Sequence, residues 1–353
     1  MIPKTMRTAV MLDIQKMGFE TRPTPTPETG EVLVKIEYVG ICGSDLHYYQ
    51  TGRIGRYVVE PPYVLGHESA GTVVALGEGV KHLQLGDRVA LEPGKTCGVC
   101  EFCRDGLYNL CPDVVFFATP PVGGVFQEYI THPENLCFKL PDSVSTMEGA
   151  LIEPLAVGFH ATRLGGAHVG QTAVVFGTGC IGLTSVLALK AHGVNKVYVV
   201  DILENRLEKA REIGATAIIN ASKEDPVARL MELTDGRGCD IAIETAGVDT
   251  TAVQAIEALR KGSTCVLVGY SKSGMMNLPM GLAMDKELTF KTVFRYRHIY
   301  PAAIDAVASG NVKLKEIVTD IFDFDDIPEA MDRSIRDKDT IVKAVIKVSD
   351  TRY

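Results

Sequence analysis

The chain has 353 residues, of which 46% are hydrophobic and 23% charged, and its formal net charge is −8. This length favours two domains with ordinary globular cores, and the acidic balance argues against a nucleic-acid-binding face, which needs clustered basic residues. No apolar run reaches the roughly 20 residues that span a membrane and no apolar leader follows Met1, so we expect a cytoplasmic protein with no membrane partner.

The first 150 or so residues are rich in glycine, proline and β-branched residues. Alternating polarity predicts a strand at residues 31–39, and shorter strands are predicted at 71–75 and 87–91. Glycine-containing turns separate these strands. The pattern indicates an all-β or α+β domain with long loops.

Candidate metal ligands follow the first of these strands. Cys42 and the pair His67 and Glu68 lie within 27 positions, at a spacing too irregular for a repeat or a helix face. Zinc takes thiolate, imidazole and carboxylate ligands, and three protein ligands leave its fourth position open for water or substrate. The alternative is a buried cysteine and a loop histidine that never meet.

A second cluster is purely cysteine. The pattern C-x2-C-x2-C-x7-C is formed within 15 residues by Cys97, Cys100, Cys103 and Cys111. Four thiolates can close a tetrahedral zinc shell, which predicts a structural site. An iron–sulfur cluster also fits the ligands, and a nucleic-acid-binding zinc ribbon fits the spacing, although the surrounding charge is mixed.

Strands and helices alternate from about residue 172. Near-continuous apolar segments at 172–176, 196–200, 217–220, 240–244 and 264–269 are separated by helical stretches at 181–192, 203–213, 224–234 and 250–260. This alternation predicts parallel strands buried on both faces. Beyond about 290, helical stretches near 298–309 and 327–337 and a strand at 342–348 break the pattern, and we interpret them as a return to the first domain.

A glycine fingerprint joins the first parallel strand to its helix. Gly177, Gly179 and Gly182 form G-x-G-x-x-G directly after residues 172–176. In this position the glycines permit a tight turn, a close approach to a pyrophosphate and close helix–strand packing. The context predicts a dinucleotide site, whereas a glycine-rich turn of another α/β protein is the alternative.

Cofactor preference is predicted from the end of the next strand. Asp201 lies 22 residues after Gly179, where a carboxylate accepts hydrogen bonds from ribose hydroxyls and repels a 2′-phosphate, so NAD is favoured over NADP. Arg206 tempers this prediction because a nearby arginine can bind a 2′-phosphate. It can equally pack on the adenine, pair locally or stay solvated.

These elements, in this order, resemble the zinc-dependent medium-chain dehydrogenase/reductase family over essentially the whole chain. Within it the chain is most similar to polyol dehydrogenases of the sorbitol (L-iditol) 2-dehydrogenase and xylitol dehydrogenase type. The segments that carry this resemblance are 40–49, 52–55, 64–68, 107–112, 117–121, 151–154 and 293–296.

The resemblance implies an α/β protein of two domains with the active site in the cleft between them. A GroES-like β-rich catalytic domain over 1–155, completed by 290–353, would accompany a doubly wound Rossmann NAD-binding domain over 156–289. It implies two zinc ions per chain, one catalytic on Cys42, His67 and Glu68 and one structural on the four cysteines. Glu153 occupies the region where many relatives have a ligand cysteine, so it competes with Glu68. We assign Glu68 to zinc and Glu153 to the zinc-bound water or the substrate hydroxyl, and either carboxylate could act through water.

The resemblance also implies roles for other residues. Ser44 and His47 would relay a proton, and Tyr48, Arg295 and Tyr296 would line a polar substrate pocket. Their alternatives are a loop hydroxyl, a surface histidine, half-buried tyrosines and a surface ion pair. Further cofactor contacts are implied for Ile181, Val268, Gly269, Val293 and Phe294.

The implied activity is NAD-linked oxidation of a secondary hydroxyl of a sorbitol- or xylitol-like polyol to the 2-ketose. The alternatives are a dehydrogenase for galactitol, another alditol, butanediol or threonine, and a catalytically silent NAD(P)-binding protein of the same fold. A dimer or tetramer is expected, with the apolar stretch 275–284 as a candidate interface.

Overall fold

A computed structural model describes residues 1–271 and 273–349, and the described residues form two units, each with one large β-sheet. Unit 1 comprises Met1–Glu153, Tyr300–Ala308 and Val318–Tyr353, and unit 2 comprises Pro154–Ile299 and Ser309–Ile317. Residues 350–353, the end of the segment predicted to return to the first domain, lie outside the described residues. The domain limits expected near 155 and 290 stay predictions.

The strands are β1 Thr5–Asp13, β2 Lys16–Pro23, β3 Glu31–Gly40, β4 Arg53–Ile54, β5 Tyr57–Val58, β6 Glu68–Leu76, β7 Arg88–Leu91, β8 Gly94–Lys95, β9 Val115–Phe116, β10 Tyr129–Pro133, β11 Cys137–Lys139, β12 Thr172–Phe176, β13 Lys196–Asp201, β14 Ala217–Asn220, β15 Cys239–Glu244, β16 Leu259–Leu267, β17 Thr289–Thr292, β18 Asp320–Asp323 and β19 Ala344–Lys347. The α-helices are α1 Gly43–Thr51, α2 Glu101–Arg104, α3 Thr146–Leu164, α4 Cys180–Ala191, α5 Glu204–Glu212, α6 Pro226–Leu233, α7 Asp249–Ala258, α8 Met280–Asp285, α9 Tyr300–Ala308 and α10 Ile327–Arg336.

Unit 1 is organised by β3, the longest strand of its main sheet. That sheet has the order β11-β7-β6-β3-β19-β18, and β10 also pairs with β3. Strand β6 runs antiparallel along β3, whereas β10 pairs with its first half and β19 with its last residues. The C-terminal strand β19 is thereby brought beside the loop that follows β3, where Cys42 lies.

The core of unit 1 has an amphipathic helix on its sheet. Buried residues of α10 recur at helical spacing, with Ile327, Ala330 and Met331 in the same apolar cluster as Val34 and Ile36 of β3. This spacing places one apolar stripe against the sheet and leaves the charged side of α10 in solvent. The predicted return of the tail to the β-rich region therefore has a packing basis.

Unit 2 contains a parallel sheet of six strands in the order β14-β13-β12-β15-β16-β17. Its central strands β12 and β15 are buried almost throughout, as expected of strands covered by helices on both faces. The strand order reverses between β12 and β15, and ligands of such sheets bind outside the carboxyl ends of the strands at this point.

One predicted boundary in unit 2 is wrong. The helical stretch predicted at 250–260 ends at Ala258, and the strand predicted from 264 begins at Leu259. Leu259 pairs with Cys239 of β15 ahead of a register shift. Pairing with the neighbouring strand therefore overrides the local helical pattern.

Among the residues described, the structure has no helix long and apolar enough to cross a membrane.

Candidate functional site

Strand pairing brings the candidate metal ligands together. Gly40, the last residue of β3, lies opposite Glu68, the first residue of β6. Cys42 follows two residues after Gly40, and His67 immediately precedes Glu68. One ligand atom from each of Cys42, His67 and Glu68 lies within 4.8 Å of those of the other two. The loop cysteine and the histidine therefore do meet.

The chemistry of this group fits a zinc ion. Cys42 is half-buried, whereas His67 and Glu68 are 7% and 1% exposed. A thiolate, an imidazole and a carboxylate are zinc ligand types, and three of them leave one tetrahedral position open. Cys42, His67 and Glu68 could therefore hold a zinc of the catalytic kind.

Asp45 supports two of these ligands and was missed by sequence reasoning. It lies at the third position of α1, and its buried carboxylate accepts hydrogen bonds from the backbone N–H of Cys42 and of Gly66, each at 2.9 Å. Its Oδ1 also lies 3.8 Å from His67 Nδ1. A carboxylate beside a ligating histidine orients the ring. A signal was available, because an acidic residue three positions after a helix-starting residue is a capping pattern.

Within this group, the negative charges around His67 shift its pKa. Burial lowers the pKa of His67, but the charges of Cys42 and Asp45, with a smaller effect from Glu153, outweigh burial and raise the pKa well above 6.5. A metal competes with protons for the ligand atoms, so binding at this group releases protons.

Three other residues predicted for catalysis or substrate binding in unit 1 lie close to this group along the chain. Ser44, His47 and Tyr48 all lie on α1, where positions three and four apart share a helix face. Ser44 and His47 are half-buried, and Tyr48 is 4% exposed. Glu153 lies on α3 and is 6% exposed, but it is not part of the ligand group formed by the described residues.

The four clustered cysteines form a second group. Cys97, Cys100, Cys103 and Cys111 each offer a sulfur within 4.8 Å of the other three. Cys97 Sγ lies 3.6 Å from Cys111 Sγ and 4.0 Å from Cys103 Sγ. Sulfurs bound to zinc at about 2.3 Å in a tetrahedron stand about 3.8 Å apart. The cluster therefore fits a structural zinc with no open position.

Backbone amides and the cysteine thiols interact within this cluster. The N–H groups of Val99 and Cys100 lower the pKa of Cys97 to about 7, whereas burial raises the pKa of Cys111. The N–H of Cys100 donates to Cys97 Sγ at 3.4 Å, and that of Cys103 donates to Cys100 Sγ at 3.5 Å. These backbone donors favour the thiolate form of Cys97. A divalent cation would offset part of the negative charge of the four thiolates.

The glycine turn of unit 2 has the geometry that the fingerprint predicts. Gly177 has a φ of 90°, which a side chain disfavours. A Cβ on Gly182 would lie 1.9 Å from Gly177 O, so only glycine allows α4 to start this close to β12. Cys180 is the first residue of α4 and Ile181 the second, and the N–H groups and the dipole at such a helix start attract an anion.

Asp201 lies at the end of β13 beside this turn. Its Oδ2 accepts hydrogen bonds from the N–H and the hydroxyl of Thr178, both at 2.6 Å, and its Oδ1 accepts the N–H of Ile202 at 2.7 Å and of Leu203 at 3.0 Å. Arg206 Nη1 lies 4.0 Å from the position that a Cβ on Gly179 would take. The predicted acid and arginine are therefore both beside the glycine turn.

The remaining predicted cofactor contacts lie at the carboxyl ends of adjacent strands. Glu244, the last residue of β15, accepts the N–H groups of Val268 and Gly269 with its backbone oxygen at 2.8 and 3.0 Å. The N–H of Val293 donates to Leu267 O at 3.0 Å. Val268, Gly269 and Val293 are thus at one edge of the sheet. The buried side chain of Glu244 was missed by sequence reasoning. It accepts hydrogen bonds from the N–H groups of Ala246 and Gly247 and so stabilises the loop that follows β15.

The predicted substrate residues of unit 2 follow β17. Arg295 has a φ of 55° and places its guanidinium 4.8 Å from the Phe294 ring centre, while Tyr296 is 3% exposed and Phe294 is 52% exposed. Arg163 Nη2 donates to Arg297 O at 2.8 Å and also lies 3.0 Å from His160 Nδ1. This contact anchors the backbone of Arg297, two residues after Arg295.

A parallel sheet with a dinucleotide-type glycine turn and two groups of zinc-type ligands defines the class of metal-dependent dehydrogenases. Two family models match the chain: the alcohol dehydrogenase GroES-like domain over residues 28–142, and the zinc-binding dehydrogenase over residues 180–309. The chain belongs to this family of zinc-binding alcohol dehydrogenases. The GroES-like and Rossmann fold expected from the sequence is thereby confirmed.

Individual relatives are similar over almost the whole length. Sorbitol dehydrogenase of Bacillus subtilis (strain 168) is 43% identical over 345 residues, covering 98% of both chains. Probable D-xylulose reductase A of Emericella nidulans is 44% identical over 327 residues, covering 91% of both chains. A crystal structure of an Escherichia coli oxidoreductase/dehydrogenase of unknown specificity involved in membrane biogenesis matches with a TM-score of 0.94 at 42% identity, covering 98% of this chain and 100% of that one.

Proposed function

We propose that this protein oxidises a secondary hydroxyl of a polyol, of the sorbitol or xylitol type, to the 2-ketose, with zinc and NAD. The observation that carries the proposal is the grouping of Cys42, His67 and Glu68 within 4.8 Å. Sorbitol dehydrogenase and probable D-xylulose reductase among the relatives support the polyol class.

Two zinc sites per chain form part of the proposal. Cys42, His67 and Glu68 would hold the catalytic ion, and the four clustered cysteines would hold a structural ion. When bound, the catalytic zinc supplies Lewis acidity to a substrate hydroxyl, and NAD supplies the hydride acceptor. Glu153 is proposed to interact with that hydroxyl oxygen through a bridging water molecule, which orients the reacting carbon while the hydroxyl proton goes to Ser44.

The proton released in the oxidation needs a path to solvent. Ser44 Oγ and the His47 ring are three residues apart on α1, and both side chains are half-buried. We assign Ser44 Oγ as the group that accepts the hydroxyl proton while its own proton moves on to the His47 imidazole, from which a proton passes to water. An imidazole suits this role because one ring nitrogen can accept a proton while the other releases one.

Polar side chains support a polyol substrate. A polyol presents many hydroxyls and little apolar area, so its pocket needs donors and acceptors. Tyr48 and Tyr296 are both buried, and Arg295 lies two residues before Arg297, whose backbone oxygen accepts a hydrogen bond from Arg163. We propose that these three side chains bind substrate hydroxyls.

NAD is the proposed cofactor because Asp201 stands beside the glycine turn. Gly177, Gly179, Ile181 and Gly182 would bind the pyrophosphate, and Arg206, Val268, Gly269, Val293 and Phe294 would contact the rest of the cofactor. We also propose a cytoplasmic homo-oligomer, a dimer or tetramer. Support for the oligomer comes from Met275, Met280 and Met284, which are 74%, 49% and 77% exposed.

The test is a steady-state comparison of substrates. Sorbitol, xylitol, galactitol, 2,3-butanediol and threonine are each supplied with NAD and with NADP, using protein of known zinc content. We expect the highest kcat/KM for an alditol with NAD. A higher kcat/KM for butanediol or threonine would assign another substrate class, and NADH binding without turnover of any alcohol would assign a catalytically silent protein.

A further inference from the structure

A buried cation lies against the candidate metal group. Lys343 is 1% exposed, and its Nζ contacts Glu68 Oε2 in an ion pair in which both side chains are buried. The same Nζ donates to Ile41 O at 2.9 Å. A charged side chain is buried in this way only when it is paired. Removal of either partner leaves the other charge buried without a counter-charge, which strongly destabilises the folded protein.

The sheet register explains how a residue near the C-terminus reaches this site. Gly40 of β3 pairs with Glu68 of β6 on one side and with Val345 of β19 on the other. Lys343 immediately precedes β19, and its side chain passes over Gly40 to the carboxylate. A Cβ on Gly40 would lie 2.0 Å from Glu68 Oε2 and 3.1 Å from Lys343 Cε. The absence of a side chain at position 40 therefore makes the bridge possible.

We propose that Lys343 is a positioning residue of the catalytic zinc site, acting through Glu68. A carboxylate has two oxygens with about four lone-pair directions, so a carboxylate bound by lysine can still ligate a metal. Lys343 thus fixes the orientation in which Glu68 faces the metal. Its charge also offsets one of the two negative charges that Cys42 and Glu68 bring to the ion.

This inference rests on the proposed function, because it requires a metal at Cys42, His67 and Glu68. It differs from a purely structural role, in which Lys343 only joins β19 to the rest of the sheet. A structural role predicts loss of stability alone. A positioning role predicts a change at the metal, and partners of metal ligands typically change metal affinity by about 10–100-fold when they are replaced.

The experiment uses cobalt(II) as the probe in the full-length protein. Lys343→Met keeps most of the side-chain volume and removes the charge. We expect an altered visible spectrum of cobalt at the Cys42 site and release of cobalt to a chelator at least about tenfold faster than in the wild type. Gly40→Ala, which displaces the Glu68 carboxylate while Lys343 stays, should shift the spectrum as well. An unchanged spectrum and release rate in folded Lys343→Met would overturn the proposal.

A control lysine is available in unit 2, where Lys286 is half-buried. Lys286 Nζ donates to the backbone oxygens of Ile256, Glu257 and Leu259 at 3.1, 2.7 and 2.7 Å. Lys286→Met removes a lysine with several carbonyl partners but no metal-ligating partner. It should lower thermal stability and leave the cobalt spectrum and release rate unchanged.

If Lys343→Met fails to fold, the same substitution can be tested in protein that also carries Glu68→Gln. Glu68→Gln with Lys343→Met leaves neither buried charge unpaired, and should fold. If Lys343 acts through Glu68, the double variant and Glu68→Gln alone release cobalt at the same rate. A further acceleration by Lys343→Met in this background contradicts the proposed path through Glu68.

Failure of the proposed function has a different signature. Cys42→Ser identifies which part of the cobalt spectrum belongs to the catalytic group. Wild-type protein that shows no Cys42-dependent cobalt signal would overturn the metal site itself, and with it the role of Lys343. A Cys42-dependent cobalt signal that is the same in the wild type and in Lys343→Met would overturn only the role of Lys343.

Discussion

Asp201 accepts both the backbone N–H and the hydroxyl of Thr178 at 2.6 Å, so the acid at the end of β13 is bonded directly to the glycine turn. With the N–H groups of Ile202 and Leu203 on its other oxygen, the carboxylate has four protein donors. Asp201 therefore shapes the turn as well as carrying the negative charge that we propose faces a ribose.

The first prediction separates these two roles of Asp201. Asp201→Ala removes the charge that repels a 2′-phosphate, so we expect the preference for NAD over NADP to fall at least about tenfold, or 1.4 kcal/mol. Thr178→Val removes one hydrogen bond and keeps the charge, so the preference should change by less than about threefold, which corresponds to under about 0.7 kcal/mol. Fluorescence titration with NADH and NADPH measures both. Equal preferences in wild type and Asp201→Ala would show that another residue sets the choice.

The second prediction concerns the candidate catalytic ligands. Cys42→Ser should abolish polyol oxidation and remove one zinc per chain, because a serine hydroxyl is a far poorer zinc ligand than a thiolate. NADH affinity should stay within about threefold, or about 0.7 kcal/mol, of the wild type since the glycine turn lies in unit 2. Metal analysis and NADH titration are the measurements. Cys137→Ala is the control, because Cys137 is a buried cysteine of β11 outside both ligand groups.

The third prediction concerns the four-cysteine group. Cys103→Ser should remove one zinc per chain and lower the thermal midpoint, because a structural metal contributes directly to folding. The cobalt signal that depends on Cys42 should persist. Limited proteolysis should find new cleavage within residues 97–111. A variant that keeps its full zinc content and midpoint would exclude a structural metal at this group.

The fourth prediction is a pH dependence of stability that arises at Glu92. Burial raises the pKa of Glu92 to about 7, and the hydrogen bond from the Tyr108 hydroxyl at 2.8 Å lowers it in part. The unfolded chain releases this proton near pH 4.5, whereas the folded chain keeps it until about pH 7. The unfolded state therefore binds fewer protons between these values, and stability falls as the pH rises through this window.

Glu92→Gln isolates the effect. The free energy of unfolding of the wild type, relative to Glu92→Gln, should fall by up to about 3 kcal/mol from pH 4.5 to above pH 7 and then level off. Urea titrations of zinc-loaded protein across this range measure it. Glu134→Gln is the control: although burial opposes the shift, the N–H groups of His82, Lys81 and Leu83 lower the pKa of Glu134. The difference in free energy of unfolding between the wild type and Glu134→Gln should not change with pH above about pH 5. If the difference for Glu92→Gln is also independent of pH, the prediction is wrong.

Much of unit 2 could be predicted because its signals are local. Residues 172–176 and 217–220 form the predicted strands, and the glycine fingerprint runs from the turn after β12 into the first residues of α4. Hydrophobic runs, glycine spacing and an acid at a strand end are all contained in a short stretch of sequence. Where pairing partners decided the outcome, as at Leu259, the local pattern was misleading.

The sequence by itself determined the metal-ligand types, the cysteine spacing, the dinucleotide fingerprint and the family, because each depends on residue identity over a few tens of positions. Only the tertiary structure decided that Cys42 and His67 meet, that Asp45 supports them, and that Lys343 reaches Glu68 across 275 positions. The physical reason is that strand register, together with the missing side chain of Gly40, determines which distant charges share a buried space.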